Sequence, residues 1–343
     1  MALPHSLPSP TNSTNFGTSL TMQGIQNLTR TDGLWFSIDA HVVLRAEDQI
    51  FRVPRSILAA RSSVFQAMFE FPRPATDTDT TMEPDEMMDG SPVIRLHDSA
   101  VDVEPFLRAI FDSSYFMPPP SKISFRAVLG VLRLSHKYDV DYLHKRALLH
   151  LETVYVVDIR DEGINDNGLG YTGADMDWDL AAIAILREVG ASWLLPAACY
   201  NVGTFWFRPG GRSGWAALPS ELAQVCARLP AVHKDNTERL YHAVTRSSSC
   251  VSADKCDLLK FRFLKARGDP EDWINQDPLQ LFYGDFDPER DQLLDAICHT
   301  CSDEAEEQHT ATRARIWAEL PDKCGLEHWN ALKEQRRVAL EGR

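Results

Sequence analysis

The chain has 343 residues, 44% of them hydrophobic, and a formal net charge of −14 at pH 7. That is length enough for two domains with buried cores, since domains commonly run to roughly 100–200 residues; the acidity disfavours nucleic acid as a direct partner, because gripping a polyphosphate needs a basic surface that releases counterions. The most apolar stretch, 180–198, is broken by Arg187, Glu188 and Pro196, which a membrane-spanning helix would have to bury, so no membrane span is expected.

Residues 1–31 are rich in Ser, Thr, Asn and Pro and lack a basic start followed by an apolar run; they read as a disordered tail and not as a signal peptide. The sequons at Asn12 and Asn27 then carry no weight, since they matter only on a secreted chain. Seven cysteines, an odd number with none before Cys199, fit a reducing compartment, cytoplasmic or nuclear, better than a disulfide framework.

From Leu34 the pattern is that of a β-hairpin: alternation over 34–38, apolar Val42-Val43-Leu44, a polar turn over 46–49, then Ile50-Phe51-Arg52-Val53-Pro54. Two short helical patterns follow, opened by Ser56 and Ser63, whose hydroxyls can accept from orphan N–H groups. Their inner faces are expected to carry Ile57, Leu58, Val64, Phe65, Met68 and Phe69. Residues 73–92 hold six acidic side chains and, among hydrophobics, only Ala75 and three methionines, so a mobile acidic loop is expected there. Val93-Ile94-Arg95-Leu96 resumes as a strand, and three amphipathic helices are predicted around Val103–Ile110, Val128–Ser135 and Val140–Leu151. A second acidic, glycine-bearing stretch, 155–179, reads as a linker. Beyond it, 180–343 is predicted almost wholly helical, with helices at 180–189, 197–207, 218–229, 237–245, 253–265, 291–305, 312–320 and 327–340.

The run from Phe51 to Phe69, with Val53-Pro54-Arg55, Leu58, Ser62 or Ser63, Phe65 and Met68-Phe69, resembles the signature of the BTB/POZ family. Leu132-x-Leu134-Ser135-His136-Lys137-Tyr138 is similar to a later helix of the same family, and the opening Leu34-Trp35-Phe36 with Val42-Val43-Leu44 looks most like its fungal branch. The resemblance implies an α+β domain over 32–154, with a short three-stranded sheet capped by a helical cluster, followed by the helical C-terminal region. It also implies a protein–protein interaction adaptor without enzymatic chemistry, whose partners are other proteins: a second copy of itself or a cullin ubiquitin ligase in one branch. The alternative is a nuclear, transcriptional regulator without a DNA-binding motif of its own, and after it an unrecognised enzyme in the C-terminal region. Two positions depart from the family. Pro54 stands where histidine is usual, removing a backbone N–H and implying that the position needs no strand partner. His41 stands where many members carry an aspartate in a pocket beside the basic residue matching Arg55. Imidazole–guanidinium lacks the bidentate strength of a carboxylate pair; Asp39, two residues away on the same strand face, could take its place.

Four further motifs invite chemistry. Gly168-x-Gly170-x-x-Gly173 matches a dinucleotide-binding pattern, but no strand precedes it and the acidic flanks would repel phosphate, so a loop is the better reading. Cys250, Cys256, Cys298 and Cys301 form Cys-x5-Cys and Cys-x2-Cys pairs; the second spacing lets two thiolates clasp one zinc, in a structural site, with His299 or His242 as substitute ligands. The competing reading is four small buried hydrophobes. Trp317 and Trp329 flank a short turn and read as core anchors. Lys255, Lys260, Arg262, Lys265 and Arg267 read as a solvated helix face.

Overall fold

The structure is a computed structural model; it describes residues 28–37, 41–70, 87–88, 91–159, 176–205, 218–246, 249–266, 268, 277–279 and 288–342. They fall into two compact units, Met1–Ile57 with Pro72–Ala100 and Leu58–Phe71 with Val101–Arg343. Most of the 1–31 tail, the bulk of the 73–92 loop, most of the 155–179 linker and the whole glycine motif at 168–173 lie outside the described residues.

The first unit is built on a sheet of five strands, β1 (Thr29–Trp35), β2 (His41–Ala46), β3 (Gln49–Pro54), β4 (Met87–Met88) and β5 (Ser91–Leu96), in the order β1-β3-β2-β5-β4. The three-stranded expectation is therefore too small by both edges. β1 runs parallel to β3 and starts at Thr29, inside the stretch read as tail. Its register slips between Arg30 and Trp35, where Gly33 takes φ 80. Only Thr31 and Leu34 are buried along it, three residues apart, so the period-two signal is lost. β4 pairs antiparallel with β5 at the end of the predicted acidic loop. Met88 is the reason: it packs with Val43, Ile50 and Val93, with Leu28 and Trp35 against them.

The central hairpin forms as the alternation predicts. β2 pairs antiparallel with β3 from His41 opposite Pro54 to Ala46 opposite Gln49. Glu47 in the two-residue turn holds φ 54, a left-handed conformation that costs a non-glycine residue about 1 kcal/mol. Its carbonyl accepts from Arg45 Nε at 3.1 Å and its carboxylate from the Ala100 N–H at 3.1 Å, which anchors the turn. Pro54 has a ladder position opposite His41 after all, but at the last rung of β3, where a missing N–H breaks no bond farther along.

The helices of the chain begin with α1 (Arg55–Arg61) and α2 (Ser63–Glu70). Leu58 and Phe65 are buried, whereas Ile57 and Met68 are 44% and 41% exposed, against the sequence expectation. Helices this short bury one narrow stripe, and in α2 Phe65 shares it with Phe69, four residues on, at 6.0 Å between ring centres. The cap of α2 is Ser62 and not Ser63. Its hydroxyl accepts from the Phe65 N–H at 3.0 Å and donates to the Tyr138 carbonyl at 2.5 Å. Tyr138 in turn stacks on Phe65 at 4.5 Å and lies 5.7 Å from Phe106, so residues over 70 apart in sequence close one aromatic cluster.

α3 (Ala100–Phe111), α4 (Phe125–Lys137) and α5 (Asp141–Glu152) match the three predicted helices. Ser124 caps α4 by accepting from the Ala127 N–H at 3.3 Å, and α4 is buried nearly all round. Then come α6 (Met176–Glu188), a 3-10 turn (Ser192–Leu194), α7 (Leu195–Phe205), α8 (Ser220–Thr245), α9 (Ala253–Ala266), α10 (Pro288–Ala296), α11 (His299–Lys323) and α12 (Trp329–Glu341). The expected helix boundaries are redrawn in places: the helix predicted over 291–305 is broken between Ala296 and His299, and two others run across predicted gaps. α8 runs unbroken through Pro230, joining two predicted helices; an interior proline costs about 3 kcal/mol, offset here because Pro230 is buried with Leu229, His233, Thr237 and Leu240 along the same helix. α11 likewise spans what the polar run 306–311 seemed to divide, since His309 and Thr312 are buried.

The described ends of the expected linker are packed. Tyr155 is fully buried and donates to Asp179 Oδ1 at 2.8 Å, and α6 starts before the linker's predicted end. α12 returns to α5: Arg336 makes a two-armed pair with Glu152 at 2.7 and 2.8 Å, and Glu152 also accepts from Trp193 Nε1 at 3.1 Å. Trp317 stacks on Trp329 at 4.9 Å, and Trp329 Nε1 donates to the Trp317 carbonyl at 2.7 Å, the anchoring arrangement expected of them. No described helix is long and apolar enough to cross a membrane.

Candidate functional site

Two constellations of polar side chains stand out, one in each unit. In the sheet, side chains alternate, so His41 and Val43 share a face of β2, and Arg52, opposite Val43, lies on that face too. The structure accordingly joins His41 to Arg52: Nδ1 stands 3.3 Å from Arg52 Nη2, and Nε2 stands 2.6 Å from Ser91 Oγ. A guanidinium has no acceptor, so Nδ1 accepts and the proton sits on Nε2, donated to Ser91. Arg52 also lies 5.9 Å from the Trp35 ring, with Arg30 at 4.4 Å from the same ring. Arg55, the basic residue that the resemblance places beside this position, opens α1 past the end of the strand and is exposed. Asp39 lies outside the described residues. Arg52 could have been found from the register, because it lies opposite Val43, the next residue along His41's face of β2.

In the helical unit the four cysteines converge. Cys250 precedes α9, Cys256 sits in its first turn, Cys298 is the residue before α11 and Cys301 is in its first turn. Their Sγ atoms all lie within 4.8 Å of one another, and Cys250 and Cys298 are 3.9 Å apart. The Ser252 N–H donates to Cys250 Sγ at 3.4 Å, the Cys298 N–H to Cys256 Sγ at 3.3 Å, and Lys260 Nζ to Cys301 Sγ at 3.3 Å. For Cys298 the N–H of Cys301 is the largest influence and, with that of Val251 and the neighbouring thiols, outweighs burial to bring its pKa down to about 6. For Cys250 the Ser252 N–H pulls the other way from burial and the Cys301, Cys256 and Cys298 thiols, which together push it up to about 12.

Lys260 overturns the reading of 255–267 as one solvated basic face. It is 4% exposed, while Lys255, Arg262 and Lys265 are exposed and Arg267 lies outside the described residues. Lys260 follows Cys256 by one helical turn, so the i, i+4 spacing carried the signal. His299 and His242 take no part among the described contacts of the cluster: His299 pairs with Asp303 at 2.9 Å and His242 with Glu238 at 3.7 Å, both largely exposed. The remaining cysteines, Cys199, Cys226 and Cys324, are buried. The Cys226 thiol is pushed far up by its hydrogen bond to Cys199 and then by burial, and stays protonated.

An open cleft of about 880 Å³ lies along α8 and α11, lined by mixed charges that include Glu238, Arg239, His242, Glu304 and Arg315, with Arg239 paired to Glu319 at 3.1 Å beside it. Residues 36–153 match the family model described as BTB/POZ domain. Comparison with curated proteins and with solved structures gives no match.

Proposed function

Residues 36–153 are a BTB/POZ domain, and from that premise we propose that this chain is a non-catalytic protein–protein interaction adaptor, with the BTB domain holding one protein and the helical region presenting a surface to another. The family match carries the reading. The path from α5 to α12 supports it: the two-armed Arg336–Glu152 pair ties the C-terminal helix to the last helix of the matched stretch. A partner held by the helical region is then fixed relative to α5, as a bridging role needs.

The finer proposal is recruitment of a cullin ubiquitin ligase. The resemblance assigns that contact to the BTB helices, whereas corepressor recruitment and self-association use the pocket. In this chain His41 is bonded to Arg52 and Ser91, an imidazole where many members carry a carboxylate that pairs bidentately with a guanidinium. An intracellular location belongs to the same proposal and rests on thiol usage. The test is retention of a purified cullin N-terminal domain on the immobilised full chain, with light scattering on the free chain. Retention at micromolar concentration supports the ligase branch. Its absence removes that branch, and a strict monomer that also fails to hold any cullin would count against the adaptor reading itself.

A further inference from the structure

We propose that Cys250, Cys256, Cys298 and Cys301 bind one tetrahedral zinc ion as a closed structural centre that fastens the start of α9 to the start of α11. The distances fit one metal. Zn–S bonds of about 2.3 Å arranged tetrahedrally put sulfurs roughly 3.8 Å apart; Cys250 and Cys298 already stand 3.9 Å apart, and no pair of the four exceeds 4.8 Å. A disulfide would need a sulfur separation of about 2.05 Å, and all four cysteines are free. An iron–sulfur cluster interposes several irons and sulfides between its cysteines, so its thiolates stand farther apart than this.

The hydrogen bonds around the sulfurs suit metal-bound thiolates. A neutral thiol is a weak acceptor, yet Cys250 accepts from Ser252 N–H, Cys256 from Cys298 N–H and Cys301 from Lys260 Nζ. Such N–H···S bonds are the outer contacts that orient and stabilise metal-bound sulfur. Three of the ligands sit at helix starts, where the unpaired N–H groups favour negative charge. Lys260 is the independent observation. An ammonium 4% exposed needs an anion beside it, and the atom it meets is Cys301 Sγ. A zinc ion with four thiolates carries two net negative charges, and Lys260 neutralises one of them.

Four sulfurs leave no position for water, so the centre is structural and not catalytic. All-sulfur tetrahedral coordination selects zinc over harder cations. Four thiols ionise as the metal binds, and their protons pass to solvent. The two ligand pairs are separated by more than 40 residues, Cys250 and Cys298 by 48, so the metal closes a long loop.

The test uses the full chain, purified under reducing conditions without a metal affinity column. Elemental analysis is expected to find one equivalent of zinc. Cobalt(II) added after zinc removal is expected to give the intense visible and sulfur-to-cobalt absorption of a tetrahedral tetrathiolate site. In Cys298→Ser and Cys256→Ser the metal is expected to fall from one equivalent to near zero. Because those variants could misfold, thiol alkylation of the wild-type chain is the second measurement: cysteines 250, 256, 298 and 301 are expected to be protected with zinc and modified after chelation. Zinc well below one equivalent after reduction and reconstitution would overturn the proposal. So would a Cys250–Cys298 disulfide in the reconstituted chain, or full zinc retention in a Cys250→Ser/Cys298→Ser double variant.

Discussion

His233 is 1% exposed on α8, its ring 4.3 Å from that of Tyr200 and its Nδ1 without a hydrogen-bond partner. Burial pushes its pKa from 6.5 down to about 3. The folded pKa lies below the unfolded one, so the unfolded chain takes up the proton first. The stability linked to this group is complete above about pH 6.5 and is lost as pH falls toward 3. At pH 5 the unfolded imidazole is protonated by about 1.5 pH units of driving force while the folded one is still neutral. At about 1.4 kcal/mol per unit, the chain loses roughly 2 kcal/mol between pH 7 and pH 5, and about 4 kcal/mol by pH 3, where the folded imidazole is itself half protonated. Urea unfolding followed by far-ultraviolet ellipticity at pH 7 and pH 5, on the wild-type chain and on His233→Leu, isolates the group, because every other titration is common to both. The wild-type chain should lose about 2 kcal/mol more than the variant over this interval. Equal losses in the two proteins would refute the argument that burial alone sets this pKa.

Two packing predictions accompany it. A methyl group on Gly203 of α7 would stand 2.6 Å from His233 Nε2 and 2.7 Å from Leu229 Cβ on α8. Gly203→Ala should therefore destabilise by about 1–3 kcal/mol, despite the gain of about 1 kcal/mol that alanine brings to a helix; a raised melting temperature would contradict the crossing geometry. Ser62→Ala should cost about 1–3 kcal/mol, since it removes both the cap on Phe65 and the bond to the Tyr138 carbonyl. Ser63→Ala, at an exposed hydroxyl bonded to Asp139, should cost under about 1 kcal/mol, and denaturant titration of the pair distinguishes a Ser62 cap from a Ser63 cap.

The elements with strong local periodicity were legible in advance. The β2–β3 hairpin, the helical spacing of α4, and the cysteine spacing all rest on neighbours within a few residues. The edge strands were not: β1 has a slipped register at Gly33 and β4 is two residues long, so neither repeats often enough to show a period. Pro230 misled for a related reason. Its local penalty is visible in sequence, while the burial that offsets it belongs to the packing of α8.

The same division holds at the two constellations. The sequence by itself determined which residues could do chemistry, the histidine at 41 and the two cysteine pairs, and which motif marks the packed core around Phe65 and Tyr138. Only the tertiary structure decided what each one meets. Strand register turned His41 toward Arg52 and Ser91. The packing of α9 against α10 and α11 brought cysteines 48 residues apart to 3.9 Å and drew Lys260 from an apparent solvent face onto Cys301. Spacing along the chain reports which side chains share a face, because that follows from backbone geometry a few residues long. Which faces come together depends on burial summed over the whole unit, and no local pattern contains it.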